Sequence, residues 1–228
     1  MPRGIPEDVA AINRAIRNFL NTKHENGQMI GSALGVYAFF DYDTEPIYVG
    51  QTEERLRARI GRHMTNQRTD AVAMNVLDPF EVAYIEVWPL KFGKPLAAEL
   101  EDFRRTLGAA EYTVFQKVLR DSKLGAVLNE KDIPPVDQIE LPQSHRARII
   151  PDAIFRVRQH PDIRIARRAT TIARLAQVIS ERDVSLGLRR TLVTQAKRLQ
   201  ALANERFAES NDRMPTEQAG EETGEEAA

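Results

Sequence analysis

The chain has 228 residues, no cysteine, and 32 Lys and Arg against 33 Asp and Glu, for a net charge of −1. That length allows one large or two small domains with a real hydrophobic core, and the absence of cysteine excludes disulfides and thiolate metal sites. No run approaches the ~20 apolar residues of a membrane span and the first residues carry no apolar signal core, so a cytoplasmic protein with no membrane partner is expected.

In chain order, Glu7 to Thr22 places Val9, Ile12, Ile16, Phe19 and Leu20 at helical spacing after Pro6, which predicts a helix. Lys23 to Gly31 is polar and reads as a loop. Leu34 to Phe40 and Ile47 to Val49 are apolar and aromatic, separated by Asp, Thr and Pro, the residues that turns select. They predict two antiparallel strands. Thr52 with Glu53 and Glu54 looks like a helix start, and that helix is expected to end near Thr65 to Gln67. Thr69 to Leu77 is read as a short helix, and Phe80 to Trp88 as a third strand. A helix is predicted from Lys94-Pro95 to Leu107, with Gly108 as its C-cap, and another from Ala109 to Ser122. Lys131 to Pro142 contains three prolines and is read as a linker.

Beyond it the chain turns basic. His145 to Phe207 holds 14 Arg and Lys against 5 Asp and Glu, and Ala208 to Ala228 holds 1 against 7. Two helices are predicted. The first has Asp162 as N-cap and an apolar stripe from Ile163, Ala166, Ala169 and Ile172 to Ile179. The second, after a break at Ser180 to Asp183, carries Leu188, Leu192, Val193, Leu199 and Leu202. Arg164, Arg167, Arg168, Arg189 and Arg190 make this a candidate polyanion-binding region, together with Arg62. By default such arginines are a solvated helix face. The glutamate-rich end is read as a disordered acidic tail.

The strongest signal is an ordered set. Gly35-Val36-Tyr37 is followed eleven residues later by Tyr48-Val49-Gly50, then by Arg59 and His63 at the i, i+4 spacing of one helix face. A glutamate and Asn129 lie downstream. Singly, each residue has a plain structural reading: core tyrosines, a solvated arginine, a surface histidine. Together they resemble the GIY-YIG nucleases, over about Met29 to Pro134. The resemblance implies an α+β fold, a small three-stranded antiparallel or mixed sheet flanked by helices, here followed by an all-helical region. It implies that Tyr37 is a base or water-orienting group, that Tyr48 positions phosphate or water, and that Arg59 stabilises the transition state. His63 would contact phosphate or assist proton transfer. Glu111 is the favoured metal ligand, with Glu99 and Glu101 as alternatives, and Asn129 would be the site asparagine that closes the domain. Whether Tyr37 or His63 is the base stays open.

The chemistry suits those residue types. A carboxylate is a hard ligand for Mg²⁺ or Mn²⁺, a guanidinium clamps phosphate oxygens, and an activated water must attack in line with the leaving oxygen. The expected protein is a metal-dependent endonuclease acting on double-stranded DNA, of restriction type and homodimeric. Repair or mobile-element nucleases, a catalytically silent DNA binder and a protein-interaction scaffold are the alternatives. The expected layout is a helical extension (1–28), a nuclease domain (29–134), a basic helical DNA-binding or dimerisation region (135–208) and an acidic tail (209–228). No zinc, nucleotide-cradling or serine-hydrolase motif occurs.

Overall fold

The computed structural model describes residues 5–64, 78–129 and 132–211. The short helix read over Thr69 to Leu77, the end of the preceding helix and almost all of the acidic tail lie outside those residues.

Helix α1 (Glu7–Leu20) buries Ile16, Phe19 and Leu20 and leads to β1 (Ala33–Phe40), β2 (Pro46–Thr52), α2 (Leu56–Met64), β3 (Tyr84–Phe92) and α3 (Leu100–Asp121). Then come β4 (His145–Arg148), α4 (Asp152–Arg158), α5 (Pro161–Glu181) and α6 (Leu186–Asn211). The four strands form one antiparallel sheet in the order β2-β1-β3-β4. All eight residues of β1 are buried, because helices cover both faces of the sheet and the strand reads as an unbroken apolar run. Val36, Ala38 and Phe40 point to one face, where Phe103, Leu107, Ala110, Val114 and Val118 of α3 meet them. Tyr37 and Phe39 point to the other, where α1, α2 and the C-terminal helices contribute Leu20, Ile60, Leu175 and Leu188.

The fold is therefore α+β, with one strand more than expected. Strand β4 pairs with β3 through Tyr84↔Arg148 and Val87↔His145. It carries His-Arg-Ala-Arg, which lacks any β-branched or large apolar residue and so gave no strand signal. The third strand runs later than predicted, to Phe92. Helix α3 continues through Gly108, since packing of its apolar face outweighs the ~1 kcal/mol cost of an interior glycine.

The region after the linker does not stand apart. Ile149, Ile150, Leu175 and Leu188 share the core of Tyr37 and Phe39. A buried ionic cluster joins them as well. In the turn between β1 and β2, Asp41 Oδ1 accepts from the backbone N–H of Asp43 and Glu45 at 2.9 and 3.0 Å. Its Oδ2 accepts from Arg164, Arg168 and Arg198 at 3.2, 2.9 and 2.6 Å. Arg168 also reaches Glu81 at 2.9 Å, and Arg198 donates to the Pro46 carbonyl at 2.9 Å. One carboxylate thus shapes the hairpin turn and anchors two C-terminal helices to it.

Candidate active site

Tyr37 on β1 lies opposite Gly50 on β2, and Phe39 opposite Tyr48. The tyrosines are diagonal neighbours on one face, with ring centroids 6.1 Å apart. Helix α2 crosses that face and presents Arg59 and His63 one turn apart. The Tyr37 hydroxyl lies 2.8 Å from His63 Nε2, and Arg59 Nε donates to the same oxygen at 3.2 Å. His63 is buried, its ring 5.3 Å from that of Tyr48. Burial raises the Tyr37 pKa well above a free phenol; the neighbouring Tyr48 adds to this and Arg59 opposes it. Tyr37 therefore holds its proton, and His63 Nε2 stands where that proton can go. Burial works against the charge of Arg59, but the Tyr37 and Tyr48 hydroxyls outweigh it and hold the guanidinium more firmly protonated than usual.

Both glycines of the two tripeptides have steric reasons. A Cβ on Gly50 would lie 2.6 Å from the Tyr37 hydroxyl oxygen and 2.7 Å from Tyr48 Cε1. A Cβ on Gly35 would lie 2.2 Å from the Trp88 carbonyl oxygen, where a bulge brings β1 and β3 close.

Strand β2 is an edge strand, and its outward polar groups are taken one after another. The Ile47 carbonyl accepts from the Leu128 N–H at 2.7 Å. Asn129 Oδ1 accepts from the Val49 N–H at 3.1 Å, and Asn129 Nδ2 donates to the Val49 carbonyl at 2.8 Å. The Gln51 backbone amide lies beside the Glu111 carboxylate and favours its charged form. Asn129 thus braces the strand between Tyr48 and Gly50 with both ends of its amide.

Glu111 stands on α3, beside Gln51 and within the field of Arg59. Burial pushes its carboxyl up to about 7; the Gln51 amide and the Arg59 charge pull the other way without prevailing. Its rivals are placed differently. Glu99 is tied to Lys91 at 2.6 Å and to the Leu96 N–H at 3.2 Å, and Glu101 is exposed in the first turn of α3. A divalent cation fits beside Glu111. The carboxylate is desolvated with no ion-pair partner among the described residues, and the buried Gln51 Oε1 has no hydrogen-bond donor among them either. No cluster of three or more His, Asp or Glu suited to a metal occurs among the described residues. The donor set is thus one carboxylate plus water, the kind Mg²⁺ accepts.

The expected DNA-binding arginines fall into two groups. Arg164 and Arg168 are interior, a correction: they share one stripe of α5 with buried Leu175, while Ala166, Ala169, Ala173 and Ala176 of the predicted apolar stripe are exposed. Three carboxylates of the β1–β2 turn and its surroundings draw these arginines inward. Arg167 is half-exposed, paired with Asp78 at 2.9 Å and stacked 3.8 Å from Phe80. Arg62 and Arg190 sit at the surface in ion pairs with Glu54 and Asp132, and Arg189 is exposed. Sequence reasoning missed Gln51 and Arg198. The spacing of Arg164, Arg168 and Leu175 at i, i+4, i+11 was the available sign that basic residues face inward.

Residues 33–102 match the family model of the GIY-YIG catalytic domain. This segment is a GIY-YIG nuclease domain. No curated protein matches the chain, and no solved structure does. Tyr37, Tyr48, Arg59 and His63 fall inside the matched segment of the GIY-YIG domain. Glu111 and Asn129 lie beyond it. The chemistry of a GIY-YIG nuclease is hydrolysis of a phosphodiester.

Proposed function

We propose that this protein is a divalent-metal-dependent endonuclease that hydrolyses phosphodiester bonds in double-stranded DNA at specific sites, in the manner of a restriction enzyme. The observation that carries this reading is the Tyr37 hydroxyl held between His63 Nε2 and Arg59 Nε, with the half-buried Glu111 carboxylate within the field of the same arginine. A mere binding surface has no need of a tyrosine buried against a proton acceptor.

In this reading Tyr37 orients the attacking water and takes its proton while passing its own to His63, so the two act as one base. Arg59 donates to a non-bridging phosphoryl oxygen and balances the charge that grows there. Tyr48 fixes the phosphate from the adjoining strand, and Asn129 keeps that strand in place. Glu111, with Gln51 beside it, holds the cation, Mg²⁺ or Mn²⁺. When bound, the cation supplies positive charge at the phosphoryl oxygens and acidifies its own water. With one such site per chain, cutting both strands at one locus favours a homodimer about a two-fold axis. Surface cations such as Arg62, Arg189 and Arg190, in weak exposed ion pairs or unpaired among the described residues, are the candidate phosphate contacts.

The test is cleavage of long duplex DNA with Mg²⁺ and with chelator, by wild type, Tyr37→Phe and Glu111→Ala. Discrete metal-dependent bands, lost by ~10²-fold or more in both variants, are expected. A metal-dependent smear removes the site-specific part and leaves a repair or mobile-element role. Cutting that survives in Glu111→Ala moves the metal ligand to Glu99 or Glu101. No cutting of any DNA with any divalent ion overturns the enzyme.

A further inference from the structure

A cleft of about 590 Å³ opens from Glu111 along the outer face of α3. Its size lies within the ~300–1,000 Å³ of sites that enclose a small ligand or one unit of a larger one. One wall is α3 itself, through Arg104, Gly108 and Glu111, which the i, i+4, i+7 spacing places in one stripe. Gly108 leaves this wall bare, since a Cβ there would meet no atom within 4 Å. The opposite wall is the extended segment after Asp132, which turns Ile133, Pro134 and Val136 toward the helix. This strap is held at both ends. Ile139 N–H donates to Thr113 Oγ1 at 3.0 Å, and Asp132 pairs with Arg190 of α6.

The cleft has an apolar side, two carboxylates, Glu111 and Asp137, and two cations, Arg104 and Arg105. Val136 is 45% exposed. Arg104 and Arg105 stand at the rim in ion pairs with Glu53 and Asp102, all four half-exposed or more. Such pairs contribute little to stability and exchange readily for a phosphate. An apolar wall facing a charged rim, reaching the Glu111 and Gln51 proposed above to hold the cation, suits a nucleotide: a flat base on one side and a phosphate on the other.

We propose that this cleft seats the nucleotide of the cut strand that adjoins the scissile phosphate, its base against Ile133, Pro134 and Val136 and its far phosphate at Arg104 and Arg105. The inference rests on the nuclease reading above and adds a subsite to it. A base lodged there has left the stack, as in other enzymes that enclose a base between apolar side chains. Residues of the strap then contribute to site preference without touching the reacting atoms.

Gly108→Trp fills the cleft from its bare wall without altering any proposed catalytic side chain. Its melting temperature is compared with wild type, and kcat/KM is measured on a DNA containing the mapped cut site. The same DNA is then made with an abasic nucleotide at each position next to the cut. The expected result is an unchanged or higher melting temperature, at least ~10-fold lower kcat/KM on intact DNA, and a deficit that shrinks to within ~3-fold on one abasic substrate. Equal cutting of intact DNA by variant and wild type overturns the subsite, as does an equal deficit on all substrates. If Gly108→Trp melts lower, Val136→Glu on the opposite, exposed wall takes its place: a deficit relieved on one abasic substrate supports the subsite, and equal cutting or a uniform deficit overturns it. Wild type that cuts no nucleic acid removes the nuclease reading itself, an outcome separate from wild type and variants that cut alike.

Discussion

Gly50 and Tyr37 face each other across β1 and β2, and a Cβ on Gly50 would come within 2.6 Å of the Tyr37 hydroxyl oxygen. Tyr37 is fully buried and so cannot swing away. Its hydroxyl meets His63 and Arg59 only because the residue opposite has no side chain. Gly50→Ala is expected to displace both tyrosine rings and to cost about 1–3 kcal/mol from overpacking. Cleavage should fall much further than stability, by ~10² or more, since an ångström of misplacement suffices. Urea unfolding and single-turnover cleavage on the same preparation check this; an alanine variant that cuts like wild type removes the close approach as a requirement.

The Glu111 carboxyl is pushed by burial from its ordinary 4.5 up to about 7 in the metal-free protein. The folded state therefore binds this proton more tightly than the unfolded chain does. Stability from the group is full below pH 4.5 and is lost as pH rises through about 7. Without metal, the difference in melting temperature between wild type and Glu111→Gln should shift in favour of the variant from pH 5 to pH 8. Divalent-ion affinity should do the reverse, falling by up to ~10-fold per pH unit below the pKa as the proton competes. Melting curves in chelator and Mn²⁺ titrations measure the two trends. A pH-independent difference would mean that Glu111 titrates as a solvated carboxyl.

Asp41 is the only carboxylate that Arg164, Arg168 and Arg198 all reach among the described residues, and the four side chains are 2–5% exposed. Removing it leaves buried Arg198 with no carboxylate among the described residues, while Arg164 keeps Asp43 and Arg168 keeps Glu81. Asp41→Ala is expected to destabilise the protein by ~3–5 kcal/mol. Asp41→Asn preserves an acceptor for the turn amides of Asp43 and Glu45 and isolates the loss of charge. Equilibrium urea unfolding of both variants separates turn from ion cluster. Near-equal stability of Asp41→Asn and wild type would assign the effect to the turn alone.

The candidate site was legible because its parts are local. Tyr37 and Tyr48 lie on two strands joined by a short turn, and Arg59 and His63 lie one helical turn apart just after them. Short connections fix such residues against one another before any long-range contact forms. Glu111 and Asn129 were harder, since each reaches β2 from a distant part of the chain. What singles out Glu111 from Glu99 is burial and the Gln51 amide, neither of which is written in the neighbouring residues.

Sequence alone determined the hairpin, the helix after it, the two long C-terminal helices and the chemistry their ordered residues suggest, because periodicity and turn chemistry are short-range. Tertiary structure decided where the basic residues point. Helical spacing marks a stripe, but a stripe of alanines and a stripe holding Arg164 and Arg168 compete for the same interior. Asp41 and Glu81, more than eighty residues earlier in the chain, settle that competition for the arginines. The fourth strand was decided in the same way: His145 to Arg148 extends because the free edge of β3 offers hydrogen bonds, not because its own side chains prefer the conformation.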